Sequence, residues 1–316
     1  MVHGVVQWWL AVGGCGGEGP ALVQDKGSDT MVNLMQRMSE TYTKTHPTVI
    51  VAVTGGGSGT GIKSLIDGTT DLANSSRPMS DEERKVANEH GVTPVETIVA
   101  YDGLAIYVSA DNPIADVSFA DLKCIFSADG TCARWSDLGV TLDCAGNDEI
   151  LKVGRQNNSG TYEYFREEVL GKGGKFTNTM DQSGTQQVVD VVGTSKCAIG
   201  YGSMGYHTEK TKFVCLSREE GAPCAQPSID AVKAGTYSFS RPLYVYTNGA
   251  PAGEPKAFLD WVVGPEGQAV AVESGFVPAG AAPAHPAPAE VPPAPAEAPP
   301  APAAPAEGAP AAPAGH

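Results

Sequence analysis

Three stretches of this 316-residue chain place hydroxyls, glycines and free backbone amides where an anion could be held. Lys26-Gly27-Ser28-Asp29-Thr30, Thr54-Gly55-Gly56-Gly57-Ser58-Gly59-Thr60-Gly61 and Asn158-Ser159-Gly160-Thr161 each open a helical pattern. The first turn of a helix exposes unpaired N–H groups and the positive end of its dipole, and glycine lets a ligand approach the backbone closely. Any one of them is also an ordinary helix cap, because Ser, Thr and Asp are the preferred capping residues. Asn74-Ser75-Ser76-Arg77-Pro78 adds two hydroxyls and a guanidinium after the strand-like Asp71-Leu72-Ala73, and reads equally as a capped surface turn. Arg155 ends an apolar run four residues before Ser159. A cation there needs a partner, either a structural carboxylate or the oxygens of a tetrahedral oxyanion, which its planar fork suits.

Other chemistries find less support. Gly56 to Ser64 approaches a P-loop, but Ile62 stands where the lysine must be and Lys63-Ser64 come one residue late. Ser58 in Gly57-Ser58-Gly59 lacks the Gly-x-Ser-x-Gly spacing of a nucleophile elbow. His3, His46, His90, His207, His285 and His316 form no Ser/His/Asp order and no metal-ligand cluster.

The elements that must position these loops follow from periodicity. Thr48–Thr54, Thr97–Ser109, Ile150–Gly154, Cys197–Tyr201 and Pro242–Thr247 are short β-branched or aromatic runs bounded by turn residues, and predict strands. Met31, Leu34, Met35 and Met38 share a helical face, as do Ile62, Leu65 and Ile66, and Tyr162, Phe165 and Val169. Alternating strands and helices predict an α/β fold with largely parallel sheets.

The length suggests about two domains. From Ala281 to His316 the chain is almost all Ala and Pro and holds 12 of its 24 prolines, a composition that builds no core and predicts an extended or disordered tail. Without that tail's three Glu the body keeps 33 acidic against 21 basic side chains, −12, which weighs against nucleic acid or an anionic membrane as partner. A small anion stays allowed, since a closed pocket binds one through local N–H dipoles and a single Arg. Val5 to Cys15 reads as a short apolar run, small residues and a cysteine, similar to the end of a bacterial lipoprotein signal with lipidation at Cys15; the other reading is a stray cysteine in a frayed terminus. No Lys or Arg precedes that run, so the true start could lie further upstream. The remaining Cys124, Cys132, Cys144, Cys197, Cys215 and Cys224 show no CxxC pairs and predict disulfides in an oxidising compartment. Sequence alone allows about 15 pairings, of which Cys215 with Cys224 is the easiest to close.

Taken together, Val53 to Gly68, Asp71 to Pro78 and Gly154 to Phe165, supported by Ile125-Phe126-Ser127, Arg134-Trp135-Ser136-Asp137-Leu138 and Ala198-Ile199-Gly200-Tyr201, strongly resemble the phosphate-binding components of bacterial phosphate ABC transporters. The likeness spans about Leu22 to Gly280. It implies a periplasmic-binding-protein fold: two α/β lobes with a ligand cleft between them, residues 22–100 with 243–280 forming lobe I and 101–242 lobe II, between an N-terminal signal-like segment 1–21 and the tail 281–316. The crossings would lie near Thr97–Tyr107 and Tyr237–Tyr246. The implied function is extracytoplasmic capture of inorganic phosphate, in the periplasm or at the cell surface, and its delivery to a membrane permease. No cofactor, metal or catalysis is implied. The implied ligand residues are Ser28, Thr30 and Met31 in the first loop, Ser58 in the glycine loop, Ser76 with Arg77, and Arg155, Ser159, Gly160 and Thr161. At Ser76 the chain departs from well-known members, which carry an aspartate that accepts from protonated phosphate and repels sulfate. Serine accepts and donates but repels no dianion. Alternatives are a receptor for sulfate, molybdate or an organophosphate, a secreted phosphatase-type hydrolase, and an adhesion role with a vestigial pocket.

Overall fold

The computed structural model describes residues 19–281; Cys15 and the Pro/Ala segment from 282 onward lie outside the described residues. In chain order the elements are β1 (Ala21–Gly27), α1 (Val32–Thr45), β2 (Val49–Thr54), α2 (Ser58–Ile66), β3 (Leu72–Ser75), α3 (Asp81–Glu89), β4 (Pro94–Ser109), β5 (Asp116–Ser118), α4 (Phe119–Phe126), β6 (Leu151–Arg155) and α5 (Gly160–Phe165). They continue with β7 (Met180–Gln182), α6 (Thr185–Thr194), β8 (Ala198–Ser203), β9 (Thr211–Phe213), β10 (Cys215–Ser217), α7 (Ile229–Lys233), β11 (Ser240–Asn248), α8 (Gly253–Val263), α9 (Pro265–Glu273) and β12 (Val277–Pro278). A π-turn, Arg166–Leu170, runs on from α5.

One sheet carries ten of these strands in the order β2-β1-β3-β11-β4-β8-β6-β7, with β9 and β12 also on β4, while β5 and β10 pair separately. Strand β4 belongs to both parts of the sheet. Its residues from Pro94 to Gly103 pair with β11, and Leu104 to Val108 pair with β8. The expectation of largely parallel sheets holds for the flanks, β2-β1-β3 and β8-β6-β7. The centre differs: β11 is antiparallel to both β3 and β4, and β4 is antiparallel to β8. The reason is connectivity, because β4 runs out through both parts and β11 brings the chain back beside it. Strand β1 was not among the predicted runs, because Gln24, Asp25 and Lys26 break its apolar pattern.

The helices form where the spacing places them. Leu34, Met35 and Met38 are buried on α1 beside Met31, Ile62 and Leu65 on α2, and Phe165 at the end of α5. Ser80 with Glu83, and Ser118 with Asp121, cap α3 and α4 reciprocally, each pair satisfying two otherwise orphaned N–H groups. The cysteines pair as Cys124–Cys132, Cys144–Cys197 and Cys215–Cys224, so the predicted short closure is present and the other four are resolved. Beside the middle bridge, fully buried Trp135 donates its indole N–H to the Cys197 carbonyl at 3.1 Å.

Beneath the first anion loop lies a buried polar pair. Asp25 and Asn74 hydrogen-bond side chain to side chain, and the Asn74 carbonyl accepts the Ser28 N–H at 2.9 Å. Burial pushes the Asp25 carboxyl from 3.8 up to about 8, with the Asn74 bond pulling the other way. The folded state therefore holds a proton that the unfolded chain releases, and this group's contribution to stability declines as pH rises from about 4 to about 8, by at most ~1.4 kcal/mol per unit. Asp25→Asn keeps the acceptor facing Asn74 and has no charge to bury. We expect it to match the wild type near pH 4 and to exceed it by on the order of 3 kcal/mol at pH 7, read from denaturant melts at both values; equal stability at pH 7 would mean that Asp25 is ionised in the fold at no cost.

Candidate functional site

Gly57 adopts φ 91°, a conformation that L side chains rarely take, and this turns the chain from the glycine run into α2. The turn sets Ser58, fully buried, as the first residue of that helix. Strand β3 ends beside it, so that the Ser76 N–H donates to Ser58 Oγ at 3.1 Å and the two hydroxyls lie 3.3 Å apart. From the other part of the sheet, β6 delivers Arg155 at its last residue and the loop that follows delivers Ser159 to Thr161. Ser159 Oγ caps α5 by accepting the N–H groups of Thr161 and Tyr162.

The loops meet. The Gly59 N–H donates to the Asn158 carbonyl at 3.1 Å, and Asn158 Nδ2 returns a bond to the Gly56 carbonyl at 2.8 Å. Gly160 packs directly on Ser58 and Ser76: a Cβ built on it would collide with the first hydroxyl and lie 2.6 Å from the second. Thr30 Oγ1 and Thr161 Oγ1 are 2.7 Å apart. Thus Ser28, Thr30, Ser58, Ser76, Arg155, Ser159, Gly160 and Thr161, far apart in sequence, are all buried, and direct contacts join Ser58, Ser76 and Gly160, and Thr30 to Thr161.

Two predicted residues are placed differently. Met31 is buried in the hydrophobic core, and its N–H donates to the Ser28 carbonyl at 2.9 Å, closing the turn before α1. Arg77 turns onto α3, where Nη1 and Nη2 each bond a Glu83 carboxylate oxygen at 2.7 Å. Burial works to lower the Arg77 pKa, but Glu83 outweighs it and the net shift is upward, while Glu83 is held below its usual range. Arg155 is held beside the first loop: Nη2 bonds Asp29 Oδ2 at 3.0 Å and the Ser183 carbonyl at 3.1 Å, and Nη1 bonds Thr185 Oγ1 at 3.0 Å. Burial lowers the Arg155 pKa and Asp29 opposes it. Asp29 in turn takes the Gly56 N–H on Oδ1 at 2.8 Å, so it links the first loop, the glycine loop and Arg155.

A profile of the PBP superfamily domain matches residues 16–266. The phosphate-binding protein PstS of Pseudomonas aeruginosa strain PAO1 is 39% identical over 264 residues, covering 80% of this chain and 81% of its own. PstS of Staphylococcus saprophyticus is 31% identical, over 85% and 86%. The chain belongs to the PstS family. The crystal structure, with bound phosphate, of a Clostridium perfringens protein described as a phosphate ABC transporter substrate-binding protein superposes with TM-score 0.71 at 25% identity, covering 81% of this chain and 99% of that one. An ABC-type phosphate transport receptor from Vibrio cholerae gives 0.63 at 26%, over 81% and 99%. The two-lobe α/β fold of the PstS family is the architecture described above.

Sequence reasoning named no role for four polar residues that this PstS-family fold draws to the cluster. Arg241, 2% exposed, donates from Nη2 to Thr161 Oγ1 at 2.8 Å, Asp102 Oδ2 at 3.1 Å and Thr30 Oγ1 at 3.4 Å, and from Nη1 to the Gly160 carbonyl at 3.1 Å. Ser203 Oγ donates to Asp102 Oδ1 at 2.6 Å. Thr185 receives Arg155, as above. The signal was there for two of them: Asp102 and Arg241 are charges inside largely apolar strand segments, and a buried charge needs a partner. Burial pushes the Asp102 carboxyl up, against the pull of Arg241 and Ser203.

Among the described residues no group of three or more His, Cys, Asp or Glu is arranged to hold a metal ion. The described histidines lie elsewhere, His46 stacked on Tyr42, His90 against the Val86 carbonyl and His207 against Phe213. What the cluster offers is hydrogen-bond donors and two guanidinium groups in a dry setting, the means of binding an oxyanion.

Proposed function

We propose that this PstS-family protein binds inorganic phosphate outside the cytoplasm and hands it to the permease of an ABC transporter, catalysing nothing. The observation that supports this reading is the buried packing of Ser58 and Ser76 against Gly160 and of Thr30 against Thr161, with the fully buried Arg155 tied to the first loop through Asp29. Arg155 Nε is buried with no protein acceptor, and a buried donor of that kind calls for an explanation that an oxyanion supplies. The resemblance assigns Met31 and Arg77 to the same site; Met31 acts through the turn before α1 and Arg77 through its hold on α3. The family provides transporter delivery.

In this reading lobe I comprises residues 22–100 with 243–280 and lobe II residues 101–242. The change of partner along β4 between Gly103 and Leu104 supports a crossing there. The three disulfides support an oxidising compartment. Among the described residues no helix is long and apolar enough to cross a membrane. Lipid at Cys15 would tether the protein at the cell surface.

One substitution favours a broader oxyanion reading: Ser76 stands where an aspartate would repel sulfate. The test is a melting-temperature shift on ligand-stripped full chain with phosphate or sulfate at equal concentration. A ligand at ~100 times its Kd adds about 2.7 kcal/mol, a shift of several degrees. Phosphate alone should produce it; a shift with both makes the protein a general oxyanion receptor, and a shift with neither ends the binding-protein reading.

A further inference from the structure

Arg241 stands on β11 directly opposite Asp102 on β4, one residue before β4 changes partner from β11 to β8. Its guanidinium is fixed from several sides. Asp102 takes Nη2 and is itself held by Ser203 of β8, and the Tyr164 ring lies beneath the cation with Cζ 5.3 Å from its centroid. The Tyr164 hydroxyl donates to the Ser240 carbonyl, tying that ring to the same strand. From this seat Arg241 reaches two hydroxyls of the anion cluster that come from different parts of the fold, Thr161 at the start of α5 and Thr30 before α1.

The chemistry of those contacts has a direction. A guanidinium only donates, so Thr161 Oγ1 accepts from Arg241 and its own proton is left to give away. Thr30 Oγ1, 3.4 Å from Arg241, shares a hydrogen bond with Thr161 Oγ1 at 2.7 Å; one of the two hydroxyls gives its proton to the other, and the pair keeps one proton for a ligand. Ser58 and Ser159 are polarised the same way by backbone, since their oxygens accept the N–H groups of Ser76 and of Thr161 and Tyr162.

We propose that Arg241 is a positioning and specificity residue of the oxyanion site: anchored by Asp102 and Ser203, it orients the hydrogen-bonded Thr30–Thr161 pair so that the pair's free proton is donated to the bound anion, and it joins the two halves of the site through that pair. The proposal rests on the phosphate-binding reading above. Its consequence is a site that selects oxygens able to accept, with the Ser76 hydroxyl, which no backbone or guanidinium contact polarises, as the place for a proton carried by the ligand.

The experiment is a double-mutant cycle on ligand-stripped full chain, titrated calorimetrically with inorganic phosphate: wild type, Arg241→Gln, Thr161→Val and the double variant. If Arg241 acts through Thr161, each single variant loses roughly 10- to 100-fold in affinity and the double loses little more than the worse single, far short of the product. A purely structural arginine would give independent, multiplying losses, and that result, or an Arg241→Gln affinity within twofold of wild type, overturns the proposal. Should Arg241→Gln not fold, Arg241→Lys takes its place in the cycle. Lysine can meet Asp102 but, as a single point donor, cannot also span Thr161 and the Gly160 carbonyl. The same non-additive loss is expected, and wild-type affinity overturns the proposal. Wild type that binds no phosphate removes the functional reading itself and this inference with it, an outcome distinct from wild type that binds with multiplying losses.

Discussion

Gly160→Ala should reduce phosphate affinity by about 10²- to 10⁴-fold and also lower the melting temperature of the ligand-free protein, in which the same loops are in contact. The added methyl would run into Ser58 Oγ, 2.6 Å from Ser76 Oγ and 3.1 Å from Ser58 Cβ. Neither serine can turn away cheaply. Both are fully buried, and Ser58 Oγ holds the Ser76 N–H. The loops must therefore separate, and hydrogen bonds that need about 2.7–3.1 Å are stretched on both sides of the anion. Two weakened bonds to a charged ligand at ~1.5–3 kcal/mol each give the stated range. Gly160 is the first residue of α5 and its φ is not positive, so alanine fits the local backbone and the cost comes from the contact between the loops alone. Calorimetric titration beside a thermal melt checks both halves of the expectation, and an affinity within threefold of wild type would mean that these loops do not approach as closely around the ligand.

How much of this was legible follows from what each signal measures. The strand-to-helix junctions were readable because glycine and hydroxyl residues there are local features, and Ser58 opens α2 while Ser159 caps α5 at Gly160 as the spacing predicts. The long central strands were readable from β-branched runs. Strand β1 was not, because Asp25 is buried in it as a pair with Asn74, a partner 49 residues away that only the fold supplies. The disulfide partner of Cys144 was hidden for the same reason, since Cys197 lies 53 residues away, whereas Cys124–Cys132 closes only 8 residues and went unselected although its span is as short as that of Cys215–Cys224. Arg77 has a second partner that sequence reasoning did not name. Its neighbours suggested an anion fork, but Glu83 three residues beyond the cap Ser80 also closes the α3 capping box, and that carboxylate takes both guanidinium nitrogens. Asp102 and Arg241 each looked incomplete in isolation; their opposition across β4 and β11 explains both.

Arg155→Gln should cost the site about 10³-fold in phosphate affinity. Arg155 is fully buried and ends β6 against Asp29, whose side chain is 16% exposed. Removing one partner of a desolvated charge pair typically costs a complex ~2–5 kcal/mol, and here the loss has two parts, the missing attraction for the anion and the repulsion from an Asp29 no longer compensated. In the ligand-free protein the same change costs less, about 1–2 kcal/mol, because Asp29 reaches water and can rehydrate. The two parts separate in the double variant Arg155→Gln with Asp29→Asn. Neutralising the stranded carboxylate should recover most of the stability and about tenfold in affinity, whereas the rest of the affinity stays lost because the Arg155 charge is gone. Titration calorimetry with phosphate, alongside thermal melts of both variants, reads the two quantities. Full recovery of affinity in the double variant would show that Arg155 serves only to neutralise Asp29, and the burden of holding the anion would then pass to the hydroxyls and to Arg241.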